Sequence, residues 1–439
     1  MIRGFRSVAA RRLVSTANAP TKFTTLASGV TVATETNPNA PSSTVGVYFA
    51  GGSRAETPYN NGVGALTTRT LAQGLDQGVL LSATNTKEAN AFVAQTTNAN
   101  VNAAASALSK LVVNREELIE KADFTRAKAA LRADIDALEA NPSEMVLEHL
   151  DASAFQGYSL GLPTLGTNDS VPDIEKTDSL RFLDKHLVGS NTVIAASGNF
   201  DHDALVETLD KEFKLQDGPK PTRAPASFLG SEVRMRDDTI PKAYISIAAQ
   251  GEGLSSPAYF VAKVGAAVFG SFDQDKATAK FTSPKLASIV QDYHIVDKYT
   301  HFSRSYSDTG LWGFNAEISN LGQVDDFVHF ALKQWNRLSV SVTDAEIARA
   351  KAQVKTELLA TLNSPTSVVH DIASKVLLNG YRASISQSLE AIDAISNSDV
   401  RAWASAALWD KDIVISGTGS IEALLDYNRA RNDMAMMRF

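Results

Sequence analysis

Hydrophobic and polar positions along the chain predict short strands followed by long helices. Alternating or β-branched runs predict strands at 23–26, 30–35, 44–50, 232–236 and 242–249. Apolar residues at helical spacing predict long helices at 116–139 and 344–362. Because the strands follow one another as hairpins and do not alternate strictly with helices, the pattern predicts an α+β fold of mixed sheets and helices.

The second half of the sequence repeats the first at an offset of about 221 residues. Residues 178–198 match 399–419 without a gap, which pairs Phe182 with Trp403. Each copy predicts a helix, a polar turn, a β-branched strand and a glycine turn. A second match, at an offset of 223, places Pro142 on Pro365 at the end of a long helical stretch. Two matches at nearly equal offsets indicate an ancient duplication.

A proline-rich stretch separates the two copies. Residues 217–225 contain three prolines and one glycine and show no apolar periodicity, which is typical of an extended linker. The predicted organisation is a transit peptide at about 1–20, a first half at 23–215, a linker at 216–227 and a second half at 228–439. Two α+β halves joined in this way are expected to face each other across a cleft.

The amino terminus has the composition of a mitochondrial transit peptide. It carries Arg3, Arg6, Arg11, Arg12 and Lys22, and no acidic residue precedes Glu35. On a helical wheel, the apolar side chains at positions 2, 5, 9 and 13 fall on one arc, away from the arginines. A secretory signal would need an unbroken apolar stretch, which the paired arginines interrupt; a disordered basic tail is the alternative.

Composition excludes several classes of function. The chain has 439 residues, with 42 Lys and Arg against 49 Asp and Glu, so it is a poor candidate for non-specific nucleic-acid binding. It contains no cysteine, which excludes disulfides, thiolate zinc sites, cysteine-ligated iron–sulfur clusters and cysteine nucleophiles. The most apolar stretch, 258–269, is interrupted by Lys263 and is shorter than a membrane span.

The seven histidines do not form a metal-binding pattern. None lies within four residues of another, so no pair can ligate from successive turns of one helix. His294 and His301 are seven residues apart, but the residues around His301 predict a strand, and we expect capped or surface histidines. Phosphate-loop, dinucleotide-binding and nucleophile-elbow motifs are also missing.

Residues 60–74 resemble the start of the pitrilysin-type zinc peptidases, the inverzincins. The stretch begins Asn-Asn-Gly and follows a predicted strand and a Gly-Gly turn. In that family, a His-x-x-Glu-His helix supplies two zinc ligands and the glutamate that activates the metal-bound water. The resemblance places the first histidine on Ala65, the glutamate on Thr68 and the second histidine on Arg69.

None of the three replacements can perform the family's chemistry. A methyl group cannot ligate zinc, a threonine is no general base near neutral pH, and a guanidinium repels the ion. The family's distant ligand glutamate is matched by Glu144, which we expect on an exposed helix face. The resemblance therefore implies a pitrilysin-like fold with a degenerate site, no catalytic residue, no metal and no cofactor.

Further segments are similar to the subfamily of the mitochondrial processing peptidase and the respiratory core proteins. These segments are 149–157, 160–166 and 302–313. The resemblance implies a structural core subunit of ubiquinol–cytochrome c reductase (complex III), peripheral to the inner mitochondrial membrane on its matrix side. The implied partners are a second core protein of the same fold, cytochrome b, cytochrome c1, the iron–sulfur protein and small subunits.

Two alternatives within the same subfamily lead to peptidase function. The chain could be the zinc-bearing subunit of the processing peptidase, which removes presequences; positions 65, 68 and 69 speak against this. It could also be the non-catalytic partner subunit, which carries a long glycine-rich loop in its second half. The nearest candidate for that loop, residues 268–273, contains only one glycine.

Overall fold

The strands form two six-stranded sheets in the computed structural model, which describes residues 21–73, 80–216 and 218–436. The strands are β1 Lys22–Thr25, β2 Thr31–Thr36, β3 Ser43–Ala50, β4 Leu80–Asn85, β5 Ala89–Thr96, β6 Thr192–Gly198, β7 Ser231–Arg236, β8 Ala243–Gly251, β9 Ser271–Asp273, β10 Lys298–Ser305, β11 Gly310–Ile318 and β12 Ile413–Gly419. The five predicted strands agree with this within two residues at each end. The predicted transit peptide lies outside the described residues.

The helices of the described residues accompany these sheets. They are α1 Val63–Gln73, α2 Val101–Val113, α3 Arg115–Lys121, α4 Phe124–Glu139, α5 Pro142–Ala154, α6 Lys176–His186, α7 His202–Glu212, α8 Tyr259–Phe269, α9 Lys285–Tyr293, α10 Val324–Val340, α11 Asp344–Thr361, α12 Pro365–Asn379, α13 Ile385–Ala394, α14 Asn397–Ala407 and α15 Tyr427–Met436. In the described part of the chain, no helix combines the length and apolarity needed to cross a membrane.

The first compact unit is built on the sheet β1-β2-β6-β3-β5-β4. Its described residues are 21–73, 80–135, 162–216, 218–224 and 358–389. Strand β3 is buried along its whole length, because one face of the sheet shares a core with α1, α2, α3, α4, α6 and α7 and the other packs on α12. Alternation assigns Val45 and Val47 to the first face and Tyr48 to the second.

The second compact unit repeats this plan with the sheet β7-β12-β8-β11-β10-β9. Its described residues are 136–161, 225–357 and 390–436. Five strands have the same order in both sheets, β2-β6-β3-β5-β4 and β7-β12-β8-β11-β10, and in each the last strand of the repeat pairs parallel to the first strand of this order, as β6 does with β2 and β12 with β7. The shared strand order confirms that the fold consists of two homologous halves.

The 221-residue offset holds for whole elements. Helix α14 lies 221 residues after α6, and β12 lies 221 residues after β6, with both ends of each element in register. Each helix also begins with a capping box, in which Asp178 and Asp399 occupy the same position. Because the capping residues are repeated with the helix, the start of each copy can be recognised from the local sequence.

Each unit includes one helix that lies on the far side of the linker in sequence. Helix α5 precedes the linker but belongs to the second unit, where Leu150 and Ala154 pack with Ala248 and Val414. Helix α12 follows the linker but belongs to the first unit, where Val369 packs against the sheet. The predicted halves at 23–215 and 228–439 describe the duplication in the sequence, and this division stays a prediction.

The prediction of one helix over 116–139 is wrong, because α3 and α4 are separate. Ala122 is extended, and the backbone N–H of Phe124 bonds to its carbonyl. The Asp123 carboxylate then accepts a hydrogen bond from the N–H of Arg126 at 3.0 Å. A side chain that satisfies a first-turn N–H starts a new helix, so the residue at the break is itself the cap.

A buried ionic cluster holds the carboxyl end of α12 on the sheet. The chain leaves α12 through Gly380, which has a φ of 72°, and returns Arg382 towards the sheet. The guanidinium lies 2.6 Å from Glu35 Oε2 on β2 and 2.8 Å from Asp371 Oδ2 on α12. Lys375 pairs with Asp371 at 2.6 Å. Arg382 thus ties the amino-terminal sheet to a helix more than 300 residues away in sequence.

Replacing Arg382 with methionine is expected to destabilise the protein by about 3–5 kcal/mol, because Glu35 would remain buried without its partner. The change is measured as a fall in the thermal unfolding midpoint. The control is Arg236→Met, which breaks exposed ion pairs with Asp238 and Glu422 and should leave the midpoint unchanged. Equal shifts for the two variants would contradict a stabilising role for the cluster.

Candidate functional site

Helix α1 carries the three positions that match the zinc peptidase signature. The chain reaches it from β3 through Gly51 and Gly52, and Gly52 has a φ of 67°. A Cβ at Gly52 would lie 2.3 Å from the Thr86 carbonyl oxygen, so the turn requires glycine. The helix then packs on the sheet with Val63, Leu66 and Leu71 in the core.

A buried glutamate caps the start of α1. Glu56 Oε2 accepts hydrogen bonds from the Gly62 N–H at 2.7 Å and from Asn61 Nδ2 at 2.8 Å, and Oε1 accepts from the Gly64 N–H at 2.8 Å. Burial raises the pKa of Glu56 to about 7, although these donors act in the opposite direction. Sequence reasoning missed this residue; its signal is an acidic side chain shortly before two glycines at a helix start.

The first and second signature positions are part of the packed interior. Ala65 lies in the hydrophobic core. The Thr68 hydroxyl is buried, at 2.8 Å from both the Gly64 carbonyl oxygen and Asn85 Oδ1. Asn85 Oδ1 also accepts from Asn90 Nδ2 at 2.6 Å. The hydroxyl is therefore committed to a network of neutral groups that continues onto the sheet.

The third signature position forms an ion pair. The Arg69 guanidinium is half-buried and binds the carboxylate of Asp134 on α4. An arginine stays protonated at any physiological pH, so it presents hydrogen-bond donors and a positive charge. The pair fixes α1 against α4 in the place where the family pattern would have an imidazole.

These three side chains do not fit a zinc ion. The set offers a methyl group, a hydroxyl already bonded to a carbonyl and an amide, and a cation, whereas zinc needs neutral imidazole or anionic oxygen ligands. No group of three or more His, Asp or Glu side chains in the described residues could hold a metal ion.

Glu144 lies in the second unit, on the exposed first turn of α5. The helix is capped by Asn141, whose side chain accepts a hydrogen bond from the Ser143 N–H at 3.2 Å. A carboxylate in the first turn of a helix interacts favourably with the positive end of the helix dipole. The prediction of an exposed helix face agrees with this placement.

His301 is buried in an aromatic cluster, so the expectation of a capped or surface histidine is wrong for this residue. It lies on β10, where its neighbours are Phe269, Trp312 and Phe314. Its Nε2 accepts a hydrogen bond from Trp335 Nε1 at 3.0 Å. His294, by contrast, is exposed at the carboxyl end of α9, so the two rings have different structural roles.

Two family profiles match the chain. The profile described as "Insulinase (Peptidase family M16)" matches residues 31–168, and "Peptidase M16 inactive domain" matches residues 173–354. The first therefore contains positions 65, 68 and 69.

Full-length relatives are named as subunits of a respiratory complex. The chain is 57% identical to a "Cytochrome b-c1 complex reductase subunit, mitochondrial" of Candida albicans, over 100% of both chains. It is 40% identical to "Cytochrome b-c1 complex subunit 1, mitochondrial" of Saccharomyces cerevisiae, over 98% of this chain and 97% of that one. A "Mitochondrial-processing peptidase subunit beta" of Lentinula edodes is 34% identical, over 95% and 94%.

A solved structure has the same fold along its whole length. A chain of Complex III2 from Candida albicans is similar with a TM-score of 0.93 and 58% identity, covering 94% of this chain and 100% of that one.

The buried histidine predicts how stability depends on pH. Burial lowers the pKa of His301 to about 3, from 6.5 in an unfolded chain. Above pH 6.5 the ring is neutral in both states; below it only the unfolded chain takes up the proton, so the contribution of His301 to stability falls as the pH drops towards 3. Glu56, whose raised pKa is about 7, contributes in the opposite sense between pH 7 and 4.5. At pH 5 the expected loss from His301 is about 2 kcal/mol.

The measurement is the thermal midpoint at pH 7.5 and pH 5.0. His301→Gln, which retains an acceptor for Trp335, should reduce the difference between the two midpoints. Part of the difference should remain, because burial also lowers the pKa of His186 to about 4. The control His294→Asn changes an exposed histidine and should behave like the unchanged protein. An undiminished difference in His301→Gln would contradict the assignment.

Proposed function

The chain belongs to the M16 peptidase family. We propose that it is the non-catalytic core subunit 1 of a fungal mitochondrial ubiquinol–cytochrome c reductase. One observation carries the proposal: full-length identity of 57% and 40% to proteins named as subunits of that complex. The match extends from one end of the chain to the other, so it includes both halves of the duplication and the stretch between them.

The chemistry of the chain agrees with a structural role in electron transport from ubiquinol to cytochrome c. Without cysteine it cannot ligate an iron–sulfur cluster through thiolates, and α1 offers no zinc ligands. The redox centres then belong to other subunits, and this chain supports the assembly and stability of the complex. We expect it on the matrix side of the inner membrane, peripheral to the bilayer.

The proposed partners are a second core protein of the same fold, cytochrome b, cytochrome c1, the iron–sulfur protein and the small subunits. The solved chain with the same fold is a component of Complex III2. A chain that superimposes on it over almost its whole length can present the same surfaces to neighbouring subunits.

The second candidate is a subunit of the mitochondrial processing peptidase. The observation that favours it is 34% identity to a beta subunit of that enzyme over 95% of this chain. The contacts of α1 count against it, because positions 65, 68 and 69 hold a core methyl group, a bonded hydroxyl and a guanidinium paired with Asp134. We infer that the peptidase centre is degenerate, with Glu144 as an isolated ligand-like carboxylate.

The first experiment is native separation of mitochondria dissolved in a mild detergent, followed by mass spectrometry of the band that contains this chain. We expect co-migration with cytochrome b, cytochrome c1 and the iron–sulfur protein, and less zinc than one ion per chain. A soluble heterodimer that contains zinc and cleaves presequence peptides would overturn the proposal in favour of the peptidase.

Restoring the signature with Ala65→His, Thr68→Glu and Arg69→His is expected to give no presequence cleavage above the unchanged protein. Position 68 is fully buried and bonded to Asn85, so the new carboxylate would lose that network and enter the core. Cleavage of a fluorogenic presequence peptide with added zinc is the assay. Efficient turnover by the triple variant would show that only these side chains separate the chain from an active peptidase.

A further inference from the structure

Three of the four tryptophans of the chain meet in the second unit. Trp312 on β11 contacts both of the others, with its ring centroid 4.9 Å from that of Trp335 on α10 and 5.4 Å from that of Trp403 on α14. Trp312 and Trp335 are fully buried, whereas Trp403 is 7% exposed. The three rings therefore form a continuous contact path, the tryptophan series, from the interior of the unit towards its surface.

Indole is among the most easily oxidised groups of this chain. The chain contains no cysteine, so no thiol competes with its aromatic rings for an oxidant. An indole that loses one electron becomes a radical cation with a strongly acidic Nε1–H, and a second ring in contact with it can supply the missing electron. The site at which such an electron hole comes to rest depends on which indole can give up its proton.

The two buried indoles lack an effective proton acceptor. Trp312 Nε1 donates to the Ala262 carbonyl oxygen at 2.9 Å, and a peptide carbonyl is too weak a base to take the proton. Trp335 Nε1 donates to His301 Nε2 at 3.0 Å. Burial disfavours the imidazolium and lowers the pKa of His301 to about 3, so this acceptor is a weak base as well.

The acceptor at Trp403 is a carboxylate. Trp403 Nε1 donates to Glu252 Oε1 at 2.8 Å, and Glu252 Oε2 accepts a hydrogen bond from the Ser256 hydroxyl, which holds the carboxylate in place. The negative charge stabilises a positive charge on the adjacent indole, and the oxygen can take up the Nε1 proton. Oxidation is therefore most favourable at the outer end of the tryptophan series.

The tyrosine beside the series offers no alternative end point. Tyr299 is fully buried, with its ring centroid 5.7 Å from that of His301. Its hydroxyl donates to the Phe269 carbonyl oxygen at 3.2 Å, and this acceptor is as weak a base as the one at Trp312. A phenol loses its proton when it is oxidised, so a tyrosine without a base retains the hole poorly.

We propose that the tryptophan series moves an electron hole from the buried indoles to Trp403, where a thiol in solution repairs it. The oxidant is an oxygen-centred radical, which takes one electron from a ring of the unit and is reduced to its anion. Trp312 then gives an electron to oxidised Trp335, and Trp403 gives one to oxidised Trp312. The Trp403 radical cation passes its Nε1 proton to Glu252. In the repair, the thiol supplies one electron and Glu252 returns the proton. The inference does not depend on the proposed function.

The absence of cysteine from the chain provides a test, because the hole can be started at one place. Lys333→Cys adds a unique thiol at an exposed position of α10, two residues from Trp335, and a ruthenium photosensitiser is attached to it in the purified full-length chain. A light flash with an external electron acceptor generates Ru(III), which oxidises a nearby ring. Mass spectrometry then locates the hydroxylated tryptophan, and we expect most of it at Trp403.

Three variants of the labelled chain test the path. Trp312→Phe removes the middle indole and should lower the ratio of oxidised Trp403 to oxidised Trp335 at least fivefold. Trp409→Phe changes the tryptophan outside the series and is the matched control, so the ratio should stay the same. Glu252→Gln keeps an acceptor for the indole N–H but removes the base. It should lower the ratio and change the transient absorption spectrum from that of a neutral indole radical to that of a radical cation.

The remaining outcomes also decide. Equal ratios in the labelled parent and in Trp312→Phe would overturn the proposal, because Trp403 would then be oxidised directly. Oxidation mainly at Trp335 in the parent would overturn it too, as would a neutral radical in Glu252→Gln. Thermal unfolding midpoints are recorded for every variant. If Trp312→Phe does not fold, Glu252→Gln decides alone, since it changes a partly exposed side chain.

Discussion

Both faces of each sheet have to be covered, and this requirement organises the whole chain. Strand β3 shows it most clearly, because every one of its residues is buried. The helices on one side cannot bury Tyr48 or Val93, which point to the other face. That face needs its own helix, and α12 supplies it from beyond the linker. A sheet that is apolar on both sides needs helices on both faces, and in each unit one of them lies on the other side of the linker in sequence.

Helix α1, which carries the signature positions, is also held by contacts with its surroundings. A buried carboxylate, the side-chain amides of Asn85 and Asn90, and one ion pair hold this helix by hydrogen bonds. Glu56 fixes the start of the helix, Asn85 holds its middle through Thr68, and Asp134 holds Arg69. These contacts hold α1 with the protein's own side chains, which suits the structural role proposed for it.

Elements with local signals could be predicted from the sequence. The repeated capping boxes at Asp178 and Asp399 mark helix starts by themselves, and the alternating strands follow from the pattern of the side chains. The break at Asp123 was missed because a capping aspartate inside a helical pattern looks like an ordinary surface residue. Glu56 and His301 were missed for a different reason: their roles depend on burial and on partners distant in sequence, which periodicity does not contain.

The position of α12 in the sequence has a consequence for how the protein is made. Residues 22–198, which are synthesised first, contain all the strands of the first sheet, whereas the helix that covers its second face is completed only at Asn379. Until then, an apolar surface including Tyr48, Val93 and Val193 stays in contact with water or with whatever shields it. The amino-terminal part of the chain therefore cannot bury this surface against α12 until the carboxyl-terminal part is available. A protein that crosses a membrane unfolded and enters its compartment amino terminus first would face this delay each time it is imported.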